Sequence, residues 1–209
     1  KLRYILLSVI IAFSLSACSD SYKAESENLN VVASFYPIYI IAQNVIGDAE
    51  GISLENMAQP QTGCLHDYQL SSGDMRKLNQ ADLFIVNGGG MESFLDNALE
   101  LFPDLNIIDT SEGVTKLHEP EHEHSEGHSH ESNPHFWMYP ENAAVQADNI
   151  CKALSAICPD NAEVFKKNTA SFIERINSLE CPDFGHKKAV VFNEAYEYLE
   201  FTYGLDVAF

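Results

Sequence analysis

Basic side chains are scarce in this chain. Twelve Lys and Arg stand against 31 Asp and Glu, a formal net charge of −19. Phosphate backbones have to be met by a cationic face, so this balance argues against nucleic acid as a partner. An acidic surface favours solubility and concentrates cations near it, but names no ligand by itself. Long apolar runs are missing too, and none could cross a bilayer as a stable anchor. HExxH occurs once, as His118-Glu119-Pro120-Glu121-His122, with a proline inside it where the motif needs a helix. The chain's one glycine run, Gly88-Gly89-Gly90, lacks both the Lys-Ser/Thr of a phosphate loop and the GxGxxG spacing. Neither the zinc-hydrolase pattern nor the glycine run has the context its chemistry needs, and residues 88–90 read as a tight turn. Cysteines number only five in 209 residues.

What is present begins with an address. Lys1 and Arg3 precede "YILLSVIIAFSL", the right length for a signal h-region. It ends in Leu15-Ser16-Ala17-Cys18, which resembles the bacterial lipobox, whose cysteine is lipidated and becomes the new N-terminus. Residues 1–17 are thus expected to be a signal peptide and 18–29 a lipid-anchored tether, with the protein extracytoplasmic and held at the cell membrane. Export raises the expectation of disulfides among Cys64, Cys151, Cys158 and Cys181. Geometry lowers it. Cys151 and Cys158 are seven apart on one expected helix, roughly 10 Å between Cα atoms, and Cys158 and Cys181 flank a helical segment about 30 Å long. Free thiols are expected.

Apolar residues make up 45% of the chain, enough for a real core. "NVVASF" (30–35), "GISLENMA" (51–58), "ADLFIVN" (81–87) and "LNIIDT" (105–110) read as strands. Between them, "PIYIIAQNVIG" (37–47), a capped "SSGDMRKLNQ" (71–80) and an amphipathic "MESFLDNALELF" (91–102) read as helices. That alternation implies βαβ units and a parallel sheet, an α/β fold. Pro140 opens a further helix, and residues 159–180 give a longer one. "KAVVFN", "EAYEYLEFTYG" and "LDVAF" then begin another strand–helix–strand unit. The expected organisation is an N-terminal α/β lobe at 30–139, a helical connector at 140–181 that includes the long helix 159–180, and the start of a second α/β lobe at 182–209.

Six of the eight histidines fall within residues 118–137. His118, His122, His124, His128 and His130 alternate with Glu, Ser and Gly inside a loop at 112–134 that is poor in apolar residues. Of the three histidines outside that run, two follow strands. His66, in "GCLHDY", follows the second strand, and His135, in "NPHFWMYP", follows the fourth. Both fall beyond the carboxyl ends of parallel strands, where open α/β sheets bind ligands. Neutral imidazole is the commonest nitrogen donor for zinc and related ions, so the two make a plausible metal pair.

"GCLHDYQLSSGDMRKLNQADLFIVNGGGMESFL", a His-rich loop, "NPHFWMYPENA", a long helix and "VVFNEAYEYLEFTYGL" together resemble the extracytoplasmic metal-binding component of zinc and manganese ABC transporters. The resemblance spans nearly all of the chain past the tether. It implies two α/β lobes joined by one long rigid helix, with the ion between them. It places the first ligand on His66, the second on His135 and the third, a His or Glu in the family, on Asn193. The fourth is a carboxylate from the second lobe, past the last residue of this sequence. Asn offers only a neutral carbonyl oxygen, a poor zinc donor beside imidazole. Glu194 next door supplies a carboxylate if the strand end turns, and which of the two serves stays open. Alternatively, Asn193 caps the following helix and Glu194 favours its first turn. Cys64, two residues from His66, could supply a thiolate; the preferred reading is that it packs.

A disordered chain of ligands cannot impose fixed coordination geometry, so the His/Glu run is expected to be an accessory loop that traps ions weakly and passes them on. A solvated loop without a role is the alternative. Such loops tilt the resemblance towards Zn2+, with Mn2+ second. The function implied is capture of a divalent metal ion outside the cell and delivery to an ABC permease. A surface adhesin or metal buffer without transport, and a zinc-dependent hydrolase, are the competing classes.

Overall fold

The computed structural model describes residues 28–58, 65, 68–117, 132–180, 184–185, 187–191 and 194–208. Strand β1 (Leu29–Ala33) lies inside a wholly parallel sheet with β2 (Ile52–Asn56), β3 (Leu83–Val86) and β4 (Asn106–Asp109), in the order β2-β1-β3-β4. Val31 sits in register with Leu54 on one side and Leu83 on the other. Successive side chains of a strand point to opposite faces, and this splits the core in two. Val31, Ala33, Leu83 and Ile85 bury on one face, whereas Val32, Phe84 and Val86 bury on the other. Central strands buried on both sides explain why β1 and β3 read as continuous apolar runs.

Three helices cover the first face. Helix α1 (Tyr36–Ile46) carries Pro37 in its first turn and ends at Gly47, supplying Ile38, Ile41, Ala42 and Val45. Helix α4 (Pro140–Ile157), opened by Pro140, contributes Ala143, Ala147, Ile150 and Leu154, and α5 (Ala162–Asn177) adds Phe165. The two helices expected as a connector thus also pack on the first sheet. The second face is covered by α2 (Ser72–Gln80) through Leu78, and by Leu95 and Ala98. Helix α2 starts with a capping box: Ser71 accepts from the Asp74 N–H, and the Asp74 carboxylate accepts from the Ser71 N–H.

Two expected helices differ from the observed ones. Residues 91–102 form a 3-10 turn (Ser93–Leu95) and the four-residue α3 (Asp96–Leu99) rather than one amphipathic helix. The Glu92 carboxylate folds back to accept the N–H groups of Asn87 and Gly88, which draws the start of the segment out of helical geometry while Met91, Leu95 and Ala98 still bury. The segment expected as one helix over 159–180 begins with a 3-10 turn (Pro159–Asn161), and α5 follows it. Cys158, forced away from helical backbone by the proline after it, separates α4 from α5.

A second parallel pair, β5 (Lys188–Val190) and β6 (Asp206–Ala208), is bridged by a 3-10 turn (Glu194–Tyr196) and α6 (Glu197–Tyr203). Helix α6 leans on the segment after the His-rich loop. Tyr198 is fully buried against Phe136 and Val114, and the rings of Tyr139 and Phe201 meet edge-on at 5.2 Å. Cys151 and Cys158 are free thiols, as their spacing requires. Among the described residues no helix is long and apolar enough to cross a membrane.

Candidate metal site

The chain runs from β1 to β2 on one side, then returns past β1 to place β3 on the other. This reversal makes a crevice beyond the carboxyl ends of β1 and β3, the place where open α/β sheets bind ligands. "NPHFWMYP" is tied to that crevice at three points. The Asn87 amide, just past β3, donates to the Pro134 carbonyl at 2.9 Å. The Trp137 ring packs edge-on against Phe35, two residues past β1, with centroids 4.8 Å apart. Phe136 is fully buried and lies so close to the glycine turn that a Cβ on Gly89 would sit 2.5 Å from its ring. Gly89 also has φ +65, a left-handed conformation that other residues resist. The glycine run, read from sequence only as a turn, is the floor on which the His135 segment rests.

His135 is 4% exposed, and its ring stands 5.2 Å from that of Trp137. The orientation of this imidazole follows from its neighbour. The Asn133 Oδ1 accepts the His135 backbone N–H at 3.0 Å and lies 2.8 Å from His135 Nδ1. At its other end the Asn133 Nδ2 donates to the Glu197 carboxylate at 2.9 Å. A backbone N–H only donates and a carboxylate only accepts, so the amide has one consistent orientation. Its oxygen faces His135, and Nδ1 must carry the proton. The lone pair of the neutral ring then sits on Nε2. An imidazole held at one nitrogen so that the other presents a lone pair is the arrangement of a metal ligand.

A buried polar hub supports this edge, and sequence reasoning missed it. Glu92 accepts from the Asn87 N–H at 2.8 Å, the Gly88 N–H at 3.1 Å and the Ser34 hydroxyl at 2.8 Å, so one carboxylate joins the ends of β1 and β3. Burial pushes its pKa up to about 7, outweighing those three hydrogen bonds, and the negative charge of Asp109 adds to the rise. The Asn87 Oδ1 accepts from Gln146 of α4, whose amide also donates to the Thr110 hydroxyl. Gln146 lies on the same stripe of α4 as Ala143, Ala147 and Ile150. A polar residue inside an apolar stripe was the available signal that a buried partner awaited it.

Of the residues singled out from sequence, the structure describes His135 in full and the backbone of Glu194, which opens the turn before α6. His66, Asn193, Cys18, Cys64 and the loop histidines His118, His122, His124, His128 and His130 lie outside the described residues. Among the described residues no group of three or more His, Cys, Asp or Glu comes together to hold a metal ion. His135 and the second strand–helix unit do come together. The Tyr198 hydroxyl lies 3.0 Å from the Asn133 carbonyl and accepts the Leu117 N–H at 3.3 Å, and burial raises its pKa.

A wholly parallel sheet flanked by helices, with the oriented His135 imidazole at its switch point, defines an open α/β lobe. The family model for the periplasmic component A of zinc-uptake complexes, ZnuA, matches residues 31–209, and the chain belongs to that family. It is 32% identical over 216 residues to the zinc-binding lipoprotein AdcA of Streptococcus pneumoniae, covering 96% of this chain and 42% of that protein. It is 34% identical over 187 residues to the iron-binding protein YfeA of Yersinia pestis, covering 87% of this chain and 58% of that one. The Zn(II)-bound ZnuA-like domain of the S. pneumoniae AdcA superposes with a TM-score of 0.71 at 29% identity, covering 86% of this chain and 66% of that one. The chain therefore spans less than half the length of the AdcA it matches.

Proposed function

We propose that this chain captures a divalent metal ion outside the cell, zinc in first place and manganese in second, and delivers it to an ABC permease. The observation that carries the reading is the contact of His135 Nδ1 with Asn133 Oδ1, which puts the ring's lone pair on Nε2 at the sheet's switch point. In this proposal His66 is the second imidazole. Leu65, which precedes it, is buried in the same cluster as Phe35, whose ring meets Trp137 beside His135. Asn193 or Glu194 supplies the third donor, at the entry to the helix that docks on Asn133. The division into a lobe at 30–139, a connector at 140–181 and a second unit at 182–209 belongs to the same reading.

The His-rich loop feeds this site. Its two ends are pinned together by the Asn133 N–H donating to the Leu117 carbonyl at 3.0 Å, so the segment leaves and returns two residues from His135. Ions trapped weakly by its imidazoles and carboxylates need travel no further than its root. A lipid on Cys18 holds the protein at the membrane; the Leu15–Cys18 tetrapeptide and the description of the related AdcA as a lipoprotein support this.

The test is zinc titration of the chelator-stripped chain by calorimetry. Two imidazoles act as a unit in a tetrahedral site, so His66→Ala and His135→Ala should each cost nearly as much as the double substitution. If both single variants are silent, the proposal fails. Hydrolytic activity abolished by chelator would replace it with the enzyme class.

A further inference from the structure

We infer that Glu197, in the second strand–helix unit, is a positioning residue for His135 that acts through Asn133. The inference rests on His135 being a metal ligand, and it concerns what keeps that ligand in its binding tautomer.

The amide of Asn133 is the weak point of the arrangement described above. Its two ends are nearly the same size, and a half-turn about its last bond would exchange oxygen for NH2. Flipped, it would present a donor to His135 Nδ1, the ring would have to accept there, and the proton would move to Nε2. A protonated Nε2 cannot bind a cation. Two of its contacts oppose the flip. One is the His135 backbone N–H, which needs the oxygen at 3.0 Å. The other is Glu197, whose carboxylate accepts the Asn133 Nδ2 at 2.9 Å and would repel an oxygen placed there. A hydrogen bond to an ionised partner is roughly twice as strong as a neutral one, so the Glu197 contact is the stronger of the two supports.

The position of Glu197 gives it a second property. It is the first residue of α6, and α6 is held on the His135 segment by the neighbouring Tyr198, which contacts Asn133 and Leu117. The carboxylate therefore reaches Asn133 only while α6 is docked. Docking of the second unit and the tautomer of a ligand in the first are one event, linked by two hydrogen bonds in series. Carboxylates that orient a metal-binding histidine commonly touch it directly; here an amide stands between, and it transmits the preference by its fixed polarity.

Three substitutions separate this role from simple docking. Glu197→Gln keeps an oxygen that can accept from Asn133 and should preserve the arrangement. Glu197→Lys replaces the acceptor with a donor, draws the Asn133 oxygen away and should turn the amide. Glu197→Leu removes the contact and keeps the backbone support. Long-range proton–nitrogen correlation spectra of the metal-free chain at pH 8 report directly which ring nitrogen of His135 holds the proton. The expected result is an Nδ1–H ring in the wild type and Glu197→Gln, and a shift towards Nε2–H in Glu197→Lys. Zinc affinity should fall by roughly 10- to 100-fold in Glu197→Lys, the range for lost outer-shell support, and by less than threefold in Glu197→Gln.

An unchanged His135 tautomer in folded Glu197→Lys overturns the inference, even if zinc affinity falls, because the loss would then come from undocking alone. If the Lys variant does not fold, Glu197→Leu carries the same readout, and an unchanged tautomer there has the same force. Silence of His135→Ala towards zinc would overturn the ligand assignment instead, while the tautomer spectra, recorded without metal, would still decide the role of Glu197.

Discussion

Raising the pH from 4.5 to 8 should remove a defined part of the stability of this fold through one side chain. Glu92 is 8% exposed, and burial lifts its pKa from 4.5 to about 7. For an acid whose pKa is higher folded than unfolded, the stabilising contribution is complete below the unfolded value and is lost as the pH rises through the folded one. The window is therefore pH 4.5 to about 7. At about 1.4 kcal/mol per tenfold change, that interval corresponds to roughly 3 kcal/mol, a large share of a typical domain's stability. Glu92→Gln mimics the protonated acid: its amide oxygen can still accept from Ser34 and Asn87, and it does not titrate. Urea unfolding of both proteins, followed by circular dichroism at steps across pH 4.5–8, isolates the effect, because every other carboxylate is common to the two. The stability of the Gln variant relative to wild type should rise by roughly 3 kcal/mol across the window. Parallel pH profiles would refute the reasoning, since Glu92 would then be ionising in the fold as easily as in the unfolded chain.

Gly89→Ala should destabilise by roughly 2–5 kcal/mol, about 1–2 for a left-handed residue with a side chain and about 1–3 for pressing a methyl into Phe136, read as a lower urea midpoint. A midpoint within error of wild type would mean that the glycine turn does not carry the His135 segment. Deleting residues 118–130 should reduce the number of weakly bound zinc ions per chain while the tightest site keeps its affinity; calorimetry in which the tightest site disappears would move the site into the loop. Asn193→His should tighten zinc binding if residue 193 is the third donor. If it is silent while Glu194→Gln abolishes binding, the donor is Glu194.

Much of the architecture was legible because each signal was local. β-Branched and aromatic runs at 30–35 and 81–87 read as buried strands, and Ser71 with Asp74 read as a helix start. Pro37 and Pro140 marked first turns, because a fixed φ and a missing N–H suit that place. His135 stood out as a candidate from its position after a strand and from the company of Asn133 and Pro134. These readings need only the residue and its near neighbours, and the physics behind them acts over a few peptide units.

The tertiary structure decided whatever depended on partners far along the chain. The apolar spacing of 91–102 promised one helix, but Glu92 finds better use accepting from Ser34, Asn87 and Gly88 than from water, and the helix gives way to a turn. Gln146 sits inside the apolar stripe of α4 because Asn87 and Thr110, 59 and 36 residues away, accept from its amide. The identity of His135 as a candidate donor was written in the sequence, but the nitrogen that holds its proton was not. That depends on which way the Asn133 amide faces, and one of the groups that settles it, Glu197, lies 64 residues from Asn133 in another strand–helix unit. Sequence patterns report what a residue prefers; a buried polar group adopts the state its partners permit, because leaving it unpaired away from water costs more than any local preference supplies.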